Sequence, residues 1–170
     1  MDKFVSELKD ACLLKGEFTL RNGKKSDVYL DIRRAYGYPR MLNMIVDKLN
    51  ELIDPHTEAT CVVGYGFGGM TLANVMASRH GLNLTNIRDE PKTYGTQKQV
   101  EGYEPRPSDK IIIPDDVFTS GSSLIRATEV IRPTGAKILR YGVVVNREEG
   151  DPNVLDAELV WLMTKSEMGL

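Results

Sequence analysis

Cysteine is scarce in this chain: Cys12 and Cys61 are the two present in 170 residues. Each sits in an apolar stretch, so a disulfide framework is not expected and both read as buried free thiols. Histidine is equally rare. His56 and His80 stand far apart, without partners at metal-ligand spacing, and are assigned no role. Neither sign of charge dominates, since 22 basic against 24 acidic residues leave a formal net charge of −2. That balance argues against a general nucleic-acid binder, which carries a basic surplus. Any anion site must come from local placement. No apolar run approaches the ~18 residues of a membrane-spanning helix. Met1-Asp2-Lys3-Phe4 opens an amphipathic pattern rather than a secretion signal. The expected setting is cytoplasmic, with no membrane and no nucleic acid as partner. Internal repeats and low-complexity segments are also missing, so residues 1–170 are expected to form one domain.

What is there is a regular alternation. Phe4, Val5, Leu8 and Cys12 share a helical face, predicting a helix over 2–14. Phe18 to Ser26 reads as strand, Asn22-Gly23 turn and strand, continued through Val28-Tyr29-Leu30-Asp31. Pro39 stands where a helix tolerates proline, and Leu42, Ile45, Val46, Leu49, Leu52 and Ile53 follow at helical spacing. Further on the pattern predicts a buried strand at Cys61-Val62-Val63, a tight loop at Gly64–Gly69 and a helix over 70–79. A strand over 83–88 comes next. Asp89–Asp109 is polar and contains glycine and proline, a long loop of the kind that often serves as a lid. Lys110–Pro114 then reads as a central strand, 121–132 as a helix, Lys137–Asn146 as a strand and 156–163 as a short final strand. Strands alternating with helices after residue 39 predict an α/β fold with a mostly parallel sheet flanked by helices. Such sheets bind ligands outside the C-terminal ends of their strands. The chemically unusual segments, Gly64–Gly69, Arg88–Gly102 and Asp115–Ser123, all fall at those ends. No P-loop Gly-Lys-Ser/Thr occurs, which disfavours an ordinary P-loop nucleotide hydrolase.

The most informative stretch is Ile111-Ile112-Ile113-Pro114-Asp115-Asp116-Val117-Phe118-Thr119-Ser120-Gly121-Ser122-Ser123. An apolar run ends in two adjacent carboxylates, and a hydroxyl-rich turn leads into a helix. Turn amides and the helix dipole attract a phosphate, to which Thr119, Ser120 and Ser122 add donors. The carboxylates accept hydrogen bonds from sugar hydroxyls. Serine at a helix start is by itself often only a cap; the whole run is what points to a phosphorylated sugar. Gly64–Gly69 lets backbone amides approach an anion closely, a pyrophosphate for example, although alone it serves a plain strand-to-helix turn equally well.

This run resembles the signature for 5-phosphoribosyl-1-pyrophosphate (PRPP) in the type I phosphoribosyltransferases: apolar run, Asp-Asp, two variable positions, Thr, Thr or Ser, Gly, any residue, Ser. Three more segments narrow the resemblance to the orotate phosphoribosyltransferases. Arg88-Asp89-Glu90-Pro91-Lys92-Thr93-Tyr94-Gly95, followed by Val100-Glu101-Gly102, is similar to that family's flexible catalytic loop. Lys15-Gly16-Glu17-Phe18-Thr19-Leu20-Arg21-Asn22-Gly23-Lys24-Lys25-Ser26 is similar to its opening segment. Arg147-Glu148-Glu149-Gly150 resembles its Asp-Arg-x-x-Gly. The matches run in the family's order from about residue 14 to 150.

The resemblance implies the type I phosphoribosyltransferase fold, with a small hood from about 15–35 and 151–170 and a long flexible catalytic loop. It implies Mg²⁺-dependent transfer of the phosphoribosyl group from PRPP to orotate, giving orotidine 5′-monophosphate and pyrophosphate in pyrimidine biosynthesis. It also implies a homodimer with shared active sites. By position, Lys92 and Arg88 would neutralise the pyrophosphate, with Tyr94 as a further loop donor. Tyr65, Gly66, Phe67 and Gly68 would line the PRPP site. Asp115 and Asp116 would bind the ribose hydroxyls, directly or through metal-bound water, and Val117, Phe118, Thr119, Ser120, Gly121, Ser122 and Ser123 would hold the 5′-phosphate. For orotate, Arg147, Thr119 and Arg21 would supply donors and Tyr29 would cover the ring. Several positions depart from the family pattern. Asp89 and Tyr94 replace a basic residue and a histidine. Gly68 stands where some members have lysine, Thr71 where proline is common, and Asn146 where Asp precedes the arginine. Two alternatives stay open: transfer to another base such as a purine, and a non-catalytic PRPP-sensing regulator. The opening segment and Arg147 speak against the first; Lys92 with both aspartates speaks against the second.

Overall fold

A computed structural model of the chain describes residues 3–19, 23, 25–91 and 98–170. The first apolar stripe closes into helix α1 (Lys3–Cys12), which buries Phe4, Leu8 and Cys12 at successive i, i+4 positions. It ends two residues short of the expected 14, because Leu13 already enters strand β1 (Leu13–Thr19). β1 pairs antiparallel with β2 (Lys25–Leu30), with an irregularity between Lys15 and Phe18, and the two form a separate small sheet. The expected Asn22 turn position lies outside the described residues. A short helix α2 (Arg33–Tyr36) follows, then α3 (Pro39–Ile53) with proline in its first turn. α3 buries Ile45, Val46, Leu49 and Ile53, whereas Leu52 is rotated off that face and exposed.

The main sheet contains β3 (Cys61–Tyr65), β4 (Asn83–Ile87), β5 (Val100–Gly102), β6 (Lys110–Phe118), β7 (Lys137–Asn146) and β8 (Glu158–Thr164), in the order β5-β4-β3-β6-β7-β8. All neighbours are parallel except β5, which runs antiparallel to β4. Helix α4 (Gly66–His80) links β3 to β4, and α5 (Ser122–Ile131) links β6 to β7. Alternation along β3 separates two cores. Val62 joins α1, α3 and α4 in one; Cys61, Val63 and Tyr65 join α5 in the other. Both thiols are buried and free, and burial pushes each up to about 11, so neither is a nucleophile at neutral pH. Among the described residues no helix is long and apolar enough to cross a membrane.

Several expected boundaries move. The glycine segment is not a loop preceding a helix: α4 begins at Gly66, directly after β3. The stretch expected as one long loop contains β5, whose Gly102 lies level with Thr85 and gives β4 an edge partner. β6 runs through Asp115 and Asp116 to Phe118, because its pairing with β7 continues to the rung Phe118↔Asn146. Of the two stretches expected in the hood, 15–35 carries the β1–β2 hairpin. By contrast, 151–170 gives β8 to the main sheet, and the turn after β8 is what borders the cleft described next.

Candidate active site

The order of strands reverses between β3 and β6: from β3 the chain adds β4 on one side, and from β6 it adds β7 and β8 on the other. A crevice opens at such a switch point, beyond the C-terminal strand ends. β3 delivers the first turn of α4 there, and β6 delivers Asp115 and Asp116. The two meet at van der Waals limits. A Cβ placed on Gly68 would lie 2.5 Å from Asp116 Cγ, and one on Gly69 would lie 2.9 Å from the Pro114 carbonyl oxygen. A side chain at position 68 would therefore displace the carboxylate.

Asp115 is buried, and its Oδ1 accepts a hydrogen bond from the Asp116 backbone N–H at 2.8 Å. Burial pushes its carboxyl well above the usual carboxylate range, and the charge of Asp116 pushes it further. Asp116 is raised as well, by burial, against the opposing pull of a hydrogen bond with Asp115 and of the Arg33 charge. Arg33 Nε lies 3.5 Å from Asp31 Oδ1 and 3.9 Å from Asp116 Oδ2. Within reach of the charges of the pair, the Tyr36 hydroxyl is buried with no hydrogen-bond partner among the described residues.

Asp116 opens into a cleft of about 430 Å³, within the range of small-molecule sites. Val117, Thr119, Arg147 and Tyr29 line it too, as does Arg33. The Tyr29 ring packs at 5.5 Å between centroids on Phe18, so the hairpin presents a supported aromatic face. Arg147 follows β7 directly. Its backbone N–H donates to the Phe118 carbonyl at 3.0 Å, and its Nη2 lies 2.8 Å from Glu149 Oε1. Gly150 seals the join between this loop and the hydroxyl turn: a Cβ there would lie 2.1 Å from the Thr119 carbonyl oxygen.

Thr119 to Ser123 form the turn and first residues of α5. Gly121 is the N-cap at φ +77 and no side chain caps the helix, so its first N–H groups are left without a side-chain acceptor. Ser120 and Ser122 are exposed and Ser123 half-buried. Two predicted contacts turn inward. Phe118 is 1% exposed and Tyr65 7%, both within the α5-side core, and Tyr65 also borders a second cleft with Asp89, Gln99 and Arg126. Tyr65 accepts from Arg126 Nη1 at 3.5 Å. Gly66 stands at the open turn and Phe67 is exposed. Arg88, at the end of β4, is exposed and pairs with Glu101 at 3.7 Å rather than with the aspartates. Lys92, Tyr94 and Arg21 lie outside the described residues.

Two departures from the family pattern have local explanations. The buried Asn146 keeps the acceptor an aspartate would provide, taking the Glu148 N–H on Oδ1 at 2.9 Å. Thr71 Oγ1 donates to the Phe67 carbonyl at 2.8 Å, within the first turns of α4. Sequence reasoning missed Arg33 and Lys165 in the cleft wall, and Ser26 and Asp31 beside them. All four are ordinary polar residues that only the fold brings together.

The family model for the phosphoribosyl transferase domain matches residues 39–161. The orotate phosphoribosyltransferase of Methanosarcina acetivorans is 39% identical over 156 residues, covering 90% of this chain and 82% of its own. The chain belongs to the orotate phosphoribosyltransferase family. The crystal structure of the family member from Aeropyrum pernix superimposes with a TM-score of 0.83 at 32% identity, over 97% of this chain and 95% of that one. The Mycobacterium tuberculosis orotate phosphoribosyltransferase in complex with PRPP has the same fold, with a TM-score of 0.81 at 20% identity, over 99% and 98% of the two chains. Both of these solved structures thus share the fold over nearly all of this chain.

Proposed function

We propose that this chain transfers the 5-phosphoribosyl group of PRPP to orotate, releasing pyrophosphate and forming orotidine 5′-monophosphate. The observation that carries the reading is the cleft itself. Asp116, Thr119, Arg147 and Tyr29 line it together, a carboxylate, a hydroxyl, a cation and an aromatic ring that suit a ribose and a planar anionic base. The uncapped N–H groups of α5 and the hydroxyls of Thr119, Ser120, Ser122 and Ser123 suit the 5′-phosphate. Asp115 and Asp116 suit the ribose hydroxyls. The first turn of α4, from Gly66 to Gly68, suits the pyrophosphate. As the C1–oxygen bond breaks, the ribose becomes cation-like and charge grows on the leaving pyrophosphate. Donors that meet that charge lower the barrier selectively. Lys92, Arg88 and Tyr94 take this role from the loop. Arg147, Arg21 and Thr119 hold orotate.

The aspartate pair also fits Mg²⁺. Two adjacent, largely desolvated carboxylates whose protonation is favoured by burial are hard oxygen donors with unsatisfied charge demand. Among the described residues no cluster of three or more acidic, histidine or cysteine side chains could hold a metal alone. The pair would therefore hold the ion together with PRPP, directly or through water. When bound, the ion supplies charge stabilisation at the leaving pyrophosphate. The working unit is a homodimer in the cytoplasm, with one phosphoribosyltransferase domain per chain and the hairpin acting as hood.

Arg147→Ala tests the reading. A charge-assisted hydrogen bond contributes about 1.5–3 kcal/mol. The variant should raise the orotate KM ~10-fold or more and leave the PRPP KM nearly unchanged. An equal loss for both substrates would remove Arg147 from the base site.

A further inference from the structure

Strands β7 and β8 run parallel, and their last shared rung pairs Asn146 with Thr164. The next residue on each strand is a cation, Arg147 and Lys165. Neighbouring strands lie ~4.8 Å apart, so the two stems leave the sheet side by side at its C-terminal edge. Both line the cleft that carries Asp116 and Thr119. Each is fixed at its root. The Lys165 N–H donates to the Asn146 carbonyl at 2.8 Å, and the Arg147 N–H to the Phe118 carbonyl at 3.0 Å.

Glu149 ties the heads together. Its Oε1 lies 2.8 Å from Arg147 Nη2 and 3.8 Å from Lys165 Nζ. Glu149 itself is absent from the cleft lining, which Arg147 and Lys165 both reach. Glu148 adds a clasp. It sits at φ +60, a strained position for a residue other than glycine, which persists only where surroundings fix it. Its Oε2 accepts from the Ser166 N–H at 2.9 Å and the Ser166 hydroxyl at 2.5 Å. The loop carrying Arg147 is thereby fastened to the turn carrying Lys165.

We propose that Lys165 is the second arm of a carboxylate clamp whose first arm is Arg147. It is a specificity-determining residue that selects a base bearing a carboxylate, and Glu149 is its positioning tether. A guanidinium and an ammonium side by side can each take one oxygen of a planar carboxylate, the first through fixed N–H groups and the second as a point charge. The inference rests on reading this cleft as the orotate site.

Two nucleotides isolate the carboxylate. Orotidine 5′-monophosphate and uridine 5′-monophosphate share ribose, phosphate and pyrimidine ring, and only the first carries the carboxylate. Their Kd values are measured by calorimetry on wild type, Lys165→Met and Lys165→Arg. Lys165→Met should bind orotidine 5′-monophosphate ~10-fold more weakly, the scale of one partly exposed charged contact. Its affinity for uridine 5′-monophosphate should stay unchanged, which also reports an intact fold. Lys165→Arg should retain the discrimination. Full discrimination in Lys165→Met, or equal weakening of both nucleotides, would overturn the clamp alone. A wild type that does not prefer orotidine 5′-monophosphate would overturn the orotate reading and the clamp with it.

Discussion

Burial holds the Asp115 carboxyl well above the usual carboxylate range, with the Asp116 charge as the second cause. An acid raised in this way binds its proton more tightly in the folded chain than in the unfolded one. Its favourable contribution is complete below the unfolded carboxylate pKa and is lost as pH rises toward the folded value. At neutral pH the pair therefore costs stability, a cost retained where ribose and a cation must be met. Asp115→Asn removes the charge while keeping an oxygen for the Asp116 N–H. Its Tm at pH 7 should rise by about 2–4 °C for each ~1 kcal/mol relieved in a chain of this size. The gain should shrink below about pH 4, the ordinary carboxylate range, and PRPP binding should weaken. A lower Tm at pH 7, measured by calorimetry, would mean the charge stabilises the fold. Such a residue is legible in sequence as chemistry: two acids after an apolar run announce themselves. The partner cations are not, because Arg33 and Lys165 are unremarkable until α2 and the turn after β8 bring them to one cleft.

Two joins between elements explain why particular glycines stand where they do. Gly150 meets backbone: its added Cβ would lie 2.1 Å from the Thr119 carbonyl oxygen, so the loop after β7 and the turn after β6 cannot both hold their places. Gly150→Ala should cost at least the ~1–3 kcal/mol typical of overpacking, read as a Tm lower by several degrees. Gly68 meets the end of a side chain, the Asp116 carboxylate, which can swing away. Gly68→Ala should leave Tm nearly unchanged, helped by alanine's better helix propensity of up to ~1 kcal/mol, and should raise the PRPP KM. Reversed outcomes would mean the joins are drawn wrongly. The helices and parallel strands around these joins follow from apolar spacing, and most fall where the spacing puts them. What spacing does not carry is pairing. β5 is three residues of a polar stretch that become a strand only because β4 offers an open edge. β6 extends past its apolar run because β7 beside it is long enough to pair through Phe118. Phe118 and Tyr65 sit in motif positions, yet their rings turn into the core, a choice that strand alternation makes and a linear motif cannot show.

At the scale of the whole molecule, the polar stretch that begins at Asp89 and contains Lys92 is proposed to serve the neighbouring subunit of a symmetric dimer. Lys92→Ala breaks the loop and Asp116→Ala breaks the floor, and each homodimer should be inactive. Co-refolded heterodimers would hold one site with both defects and one with none. Random pairing should restore up to about one-quarter of wild-type activity, by the two-fold symmetry of such an assembly. Verified heterodimers that stay inactive would assign each loop to its own subunit. The base is what sets this enzyme apart, because fold, aspartate pair and hydroxyl turn would serve any phosphoribosyl acceptor. The most direct test follows orotate absorbance in the presence of PRPP and Mg²⁺, run beside adenine, hypoxanthine and uracil. Orotate should be consumed only when both PRPP and the metal are present, and the other bases should be left untouched. Consumption of a purine or of uracil in place of orotate, or of no base at all, would contradict the account.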